Sequence, residues 1–96
     1  MTSKQRAYLR SLANTESAIL HIGKDGIGDN LIKQAYDALE KRELVKVTVQ
    51  RGADMDAKEA SAKLCEALHA EPVQVIGNKF VMYRESREHK RIELPK

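Results

Sequence analysis

The sequence is poor in the groups that several function classes require. It has one cysteine, Cys65, no tryptophan, and only four aromatic residues, three tyrosines and Phe80. A single cysteine can neither close an internal disulfide nor build a cysteine-based zinc site. Single-strand binders that stack bases need a row of exposed rings, each contributing about 1–3 kcal/mol. With Tyr8, Tyr36 and Phe80 expected in the core, only Tyr83 is left to spare. The longest unbroken apolar run is Phe80-Val81-Met82-Tyr83, too short for a membrane span or a signal-peptide core. The expectation is a soluble cytoplasmic protein with no membrane association. Internal repeats and low-complexity segments are also missing.

What remains is an ordinary globular composition, with 42% hydrophobic and 32% charged residues in 96 positions. That length suits one domain, residues 1–96, with a charged tail from about residue 85. A domain this small buries roughly 65% of the surface its unfolded chain exposes and has no room to enclose a large cofactor. The net charge of +3 is unevenly placed. Lys4, Arg6, Arg10 and Lys24 face a single acid, Glu16, in the first 24 residues. The stretch 25–77 is net acidic, and residues 78–96 are basic again through Lys79, Arg84, Arg87, Lys90, Arg91 and Lys96. If the two ends meet in the fold, the surface acquires a basic side.

Periodicity gives the element order. Ser3 suits the N-cap of a first helix to about Ala13, with Tyr8, Leu9 and Leu12 on one face and Arg6 and Arg10 one turn apart on the other. Ala18 to Ile22 reads as a short buried strand. Asp29 or Asn30 can cap a second helix to about Lys41, whose apolar side carries Leu31, Ile32, Ala35, Tyr36, Ala38 and Leu39. Leu44 to Gln50 is the clearest strand, with Val45, Val47 and Val49 alternating with Lys46, Thr48 and Gln50. Asp56 opens a third helix to about His69, buried through Ala57, Ala60, Leu64, Ala67 and Leu68, and Pro72 closes it. Val73–Ile76 and Phe80–Tyr83 flank Gly77-Asn78-Lys79 as a hairpin. Beyond it only Ile92 and Leu94 are able to dock. The order α-β-α-β-α-β-β predicts an α/β fold with a small mixed four-stranded sheet. The polar alternation of the second strand implies that helices do not fully cover both faces.

Catalytic chemistry requires convergent groups, and the usual sets are missing. Cys65 sits at the border of an apolar helix face, where a packed thiol is expected. His69 and His89 have no metal-ligand spacing, and acids such as Glu59 are placed to pair with lysines or face solvent. No hydrolase elbow, metal-binding helix motif or Walker lysine is present. The expectation is a protein that is not an enzyme, with no cofactor, no metal and no small-molecule substrate. The segment Gly23-Lys24-Asp25-Gly26 is different. It joins a strand, ending beside His21, to a helix start. Glycines there let the backbone turn sharply and approach a ligand closely, and free amides with Lys24 can receive a phosphate. Asp25 opposes that charge unless it caps the helix or points away. With few rings available, phosphate and shape recognition of structured RNA fits better than base stacking.

The blocks S-K-Q-R-A-Y-L-R-S-L-A (Ser3 to Ala13), H-I-G-K-D-G-I-G-D-N (His21 to Asn30), A-L-E-K-R-E-L-V-K-V (Ala38 to Val47) and V-Q-V-I-G-N-K-F-V-M-Y-R (Val73 to Arg84) occur in that order. Together they resemble the bacterial YhbY-type proteins, the stand-alone form of the CRM (chloroplast RNA splicing and ribosome maturation) domain. The resemblance implies an RNA-binding fold similar to the C-terminal domain of translation initiation factor three. It also implies association with precursors of the large ribosomal subunit; plant relatives help group II introns splice. The family's G-x-x-G loop falls on Gly23, Lys24, Asp25 and Gly26. The expectation is therefore a monomeric assembly factor that docks on structured rRNA in precursor particles. Arg6, Arg10, Lys46, Arg84 and Arg87 would extend the loop's footprint. The alternatives are a protein-interaction adaptor on the ribosome or a splicing-type chaperone for another structured RNA.

Overall fold

The computed structural model describes residues 1–88 and 90–95. His89 and Lys96, which the sequence puts in the charged tail, lie outside the described residues. Helix α1 (Ser3–Ala13) opens one residue earlier than expected, with Thr2 rather than Ser3 as its cap. The Thr2 hydroxyl accepts from the Gln5 amide at 3.1 Å, and the Gln5 side chain accepts from the Thr2 amide at 3.0 Å. The decisive pattern is T-x-x-Q, which satisfies two helix-end donors at once.

Strand β1 (Leu20–Ile22), helix α2 (Asp29–Arg42), strand β2 (Leu44–Val49), helix α3 (Ala57–Leu68), strand β3 (Glu71–Ile76) and strand β4 (Lys79–Tyr83) follow. The expected α-β-α-β-α-β-β order and mixed four-stranded sheet are thus the observed architecture. The strands lie in the order β1-β2-β4-β3, with β1 parallel to β2 and β4 antiparallel to both its neighbours. The second strand-helix-strand connection therefore leaves a gap one strand wide, and the hairpin returns β4 into it. Two strands, β1 and β3, differ most from the sequence reading. Strand β1 begins at Leu20 rather than Ala18, although the Ile19 amide still bonds the Lys46 carbonyl at 3.1 Å. Pro72 lies within β3 opposite Met82 rather than before it, with a register shift between Pro72 and Gln74. An edge strand tolerates a proline because one side of it has no ladder to supply. The stop of α3 is His69 instead, in the left-handed conformation at φ 56° with its amide on the Cys65 carbonyl.

The sheet packs on both faces, unequally. Its first face presents Leu20, Ile22, Val45, Val47, Val49, Phe80 and Met82 to α2 and α3, which answer with Ala35, Leu39, Ala57, Ala60, Leu64, Cys65 and Leu68. Burying each of the large side chains contributes roughly 1.5–3 kcal/mol. The α3 stripe runs through Ser61 and Cys65, while Ala67, expected inside, is exposed. This is the i, i+3, i+4 pattern of one helix face. Burial pushes the Cys65 thiol pKa up, in keeping with a packed rather than a reactive sulfur. The second face carries Leu44, Val73, Val81 and Tyr83, covered by Leu9 and Ala13 of α1 and by Leu12, Ile92 and Leu94. The aromatic assignment is reversed here. Tyr8 and Tyr36 are exposed at 38% and 43%, whereas Tyr83 is buried at 5%. Each exposed tyrosine adjoins a fully buried residue, Leu9 or Ala35, and the turn of about 100° between neighbours carries the ring out of the core.

Candidate nucleic-acid interface

The glycine segment forms at the end of β1. The Gln50 amide bonds the Ile22 carbonyl at 2.8 Å, and the turn that follows is closed by the Gly26 amide on the Gly23 carbonyl at 3.0 Å. Gly26 sits at φ +68°, where an L side chain is strained. Helix α2 then starts from Gly28 as N-cap, with no side-chain cap bond; Asp29 and Asn30, the expected caps, are already inside the helix. A groove of about 570 Å³ runs between this turn and the helix start, lined among others by His21, Lys24, Asp25, Gly28, Asp29 and Asn30.

Two more segments reach the same end of the sheet. The loop after β2 follows the glycine turn along its length. A Cβ on Gly23 would lie 3.2 Å from Gln50 Oε1, one on Gly26 3.7 Å from Met55 Cε, and one on Gly52 4.0 Å from Lys24 Cε. The β3–β4 turn is tied to β2 by the Val49 amide on the Asn78 carbonyl at 2.7 Å and by Asn78 Nδ2 on the Val49 carbonyl at 3.3 Å.

The second sheet face is open next to this end. Register sets His21 beside Thr48, Thr48 beside Lys79 and Lys79 beside Ile76. Side chains at partnered positions share a face, so this row crosses the sheet on the side that α1 and the tail leave uncovered. Lys46 and Gln74 follow it toward the end of α1, where they border Asn14. On α1, Arg6 and Arg10 share the flank away from Leu12, which packs beside the tail.

The expected site residues therefore divide. Lys24 and Asp25 are exposed at the loop, and Gly23 and Gly26 are half-buried beneath it. Arg10 is exposed; Arg6 is half-buried, and its Nε has no hydrogen-bond partner among the described residues. Lys46 is half-buried and donates to the Glu16 carbonyl at 3.2 Å. These belong to the loop end and the neighbouring face. Arg84 does not. It lies at the opposite end of β4, donating to Glu40 at 2.8 Å and to the Leu68 carbonyl at 3.1 Å, with its guanidinium 4.6 Å from the centre of the Tyr36 ring. Arg87 is exposed on the segment beyond it.

One group escaped sequence reading altogether. Glu43 is fully buried at φ +65°, and its carboxylate accepts the amides of Ser86, Arg91 and Ile92 at 2.5–2.7 Å. Burial works against the charge, but these three amides outweigh it and hold the carboxyl below its ordinary range. The clamp turns the tail back along α1, where Gln5 Nε2 donates to the Pro95 carbonyl at 3.0 Å and Ile92 and Leu94 join the Leu9 cluster. The two basic ends of the chain do meet, and Glu43 is what brings them together.

A glycine turn that exposes Lys24 beside Asp25, backed by a helix flank with Arg6 and Arg10 and a half-open sheet, offers cations and backbone amides to a polyanion. Comparison with known proteins gives the family: the one described as the CRS1 / YhbY (CRM) domain matches residues 1–84. The chain belongs to the CRM domain family. Among its relatives, the probable RNA-binding protein YqeI of Bacillus subtilis is 44% identical over 95 residues, covering 99% of each chain. An RNA-binding protein of Haemophilus influenzae is 33% identical over 97 residues, covering 100% of this chain and 96% of its own. The solution structure of a Staphylococcus aureus protein superposes with a TM-score of 0.81 at 54% identity over 99% of both chains. The CRM fold is thus shared over almost the entire chain. Among the described residues, no helix is long and apolar enough to cross a membrane.

Proposed function

We propose that this CRM protein binds structured RNA, and that its physiological RNA is the large-subunit rRNA of precursor ribosomal particles, whose assembly it aids without catalysing a reaction. The observation that carries the reading is the position of Lys24. It stands exposed on the Gly23–Gly26 turn, with no hydrogen bond or ion pair to any described residue. Beside it lie the groove of α2 and the open row His21, Thr48 and Lys79. A phosphate on the turn meets loop amides and the ammonium group. The strand running on from it crosses the open face toward Lys46, Arg10 and Arg6. Only phosphate and shape contacts are needed, which suits a surface that offers few rings for stacking. The names of the Bacillus and Haemophilus relatives support the RNA part of the reading. Family resemblance supports the ribosomal part. The protein acts as a monomer in the cytoplasm in this reading.

The test is sedimentation of a gentle cell lysate through sucrose, with detection of the protein across the gradient. Signal at or just below the large subunit, lost after nuclease treatment, is the expected result. Signal confined to the top at every salt and magnesium level would remove the ribosomal role. In a purified system, neutralising about four phosphates gives a log–log salt slope near −3 to −4. A flat response would exclude the basic surface as the contact.

A second reading has one observation in its favour. Val75 and Ile76, on the edge strand β3, are exposed at 43% and 63%, and an open edge with apolar side chains can pair with a protein strand. An adaptor held on the ribosome by a protein would stay in the complex after nuclease treatment.

A further inference from the structure

The glycine turn has a neighbour that the sequence motif does not include. The loop 50–56 runs beside it from end to end, Gln50 against Gly23, Gly52 against Lys24 and Met55 against Gly26. On its far side a second groove of about 540 Å³ opens, lined among others by Gln50, Arg51, Gly52, Gly77 and Asn78. The two loops thus form a ridge with a groove on either flank. Lys24 stands on one loop and Arg51 on the other, both exposed.

Neither cation makes a hydrogen bond or an ion pair with a described residue. Three other cations are ion-paired among the described residues, Arg84 with Glu40, Lys63 with Glu59 and Lys90 with Glu85; what sets Lys24 and Arg51 apart is their place on two adjoining turns. The acids of the ridge do not neutralise Arg51 by contact. Asp56 is used as the cap of α3, accepting the Glu59 amide at 2.8 Å, while Asp25 and Asp54 are exposed with no ion pair to a described residue. Gly52, at φ +92°, turns the chain immediately after Arg51, a conformation that glycine adopts without strain.

We infer that the loop 50–56 is the second wall of the RNA contact, with Arg51 binding a backbone phosphate next to the one held at Lys24. The inference rests on the RNA-binding reading above and adds a residue to it. The guanidinium offers a planar fork of donors that matches two phosphate oxygens at once. Because Asp25 and Asp54 weaken the long-range field, the contact depends on that short-range fork.

The experiment measures binding of a fluorescently labelled RNA stem-loop by anisotropy at several salt concentrations. The proteins are the wild type, Arg51→Ala, Lys24→Ala and the control Lys63→Ala. Arg51→Ala is expected to weaken binding roughly five- to tenfold and to reduce the salt slope by about one. Lys63→Ala should match the wild type, and all melting curves should coincide. Binding by Arg51→Ala within twofold of wild type, alongside clear weakening by Lys24→Ala, would overturn the inference and leave the RNA reading standing. A wild type that fails to bind the stem-loop at any salt removes both. Arg51→Lys keeps the charge without the fork and should fall between wild type and alanine.

Discussion

The two ends of the sheet use charge in opposite ways. At the end where β4 leaves the sheet, Glu43, Glu40 and Arg84 are half or fully buried and bonded within the protein. At the end where β1 and β2 leave it, Lys24 and Arg51 stand on exposed turns with no internal partner among the described residues. The first end is a structural clasp that folds the tail onto α1. The second is a surface with unused valence. Taking charges out of water requires compensating bonds, so the clasp is closed to ligands, whereas exposed cations can exchange water for phosphate. A basic residue where β4 leaves the sheet is therefore not equivalent to one near the glycine turn, although both read alike in a sequence.

Substitutions can break this contrast, and the largest effect belongs to the clasp. Glu43→Ala leaves the amides of Ser86, Arg91 and Ile92 without their acceptor. It should cost about 3 kcal/mol in chemical denaturation and speed hydrogen exchange at those three amides. Its charge also ties stability to pH. The folded carboxyl is held below the ordinary value of 4.5. The contribution is therefore complete above pH 4.5 and is lost as pH falls through the lowered folded value. Glu43→Gln should flatten that part of the acid profile, and an unchanged profile would show that the clasp carries no proton linkage. Arg84→Ala comes next. It removes the bonds to Glu40 and Leu68 and the contact with Tyr36, with an expected loss of about 1–2 kcal/mol. RNA affinity at constant folded fraction should stay within twofold.

At the other end the order of effects is inverted, small on stability and large on binding. Gly26→Asp must adopt φ +68°, which costs about 1 kcal/mol, and it places a carboxylate where phosphate is expected. A lowered melting temperature with a several-fold weaker RNA complex is the anticipated pair of results. Lys24→Ala, on an exposed side chain, should change stability by less than about 0.5 kcal/mol and still weaken RNA binding. Should Lys24→Ala bind RNA as the wild type does, the ends would no longer be functionally distinct.

Much of the fold was legible because its signals are local. The alternation of Val45, Val47 and Val49, the Asp56 cap and the glycine hairpin each act within a few residues, and each appears where expected. The glycine turn and Lys24 were legible for the same reason. Where the structure departs from the sequence reading, the reason differs from element to element. Tyr8 and Tyr36 look like core residues by hydrophobic character alone, but one residue of rotation moves a ring from core to solvent. Pro72 has the look of a helix stop because a sequence does not say which strand is an edge. Arg84 reads as a free cation in the sequence because its partners Glu40, Leu68 and Tyr36 are all 16 or more positions away.

The order of elements, the buried face of β2, the glycine turn and the family resemblance are readable without the fold. These depend on periodicity and on short motifs whose physics is complete within a turn or a strand. Folding settles which of the charges are bonded within the protein. It turned Glu43, an unremarkable acid between a helix and a strand, into the anchor of the tail. It also set the loop of Arg51 beside Lys24, 27 positions apart in the chain. Whether a charged side chain stabilises the fold or remains available to a ligand depends on its distance to partners remote in sequence, and only folding sets those distances.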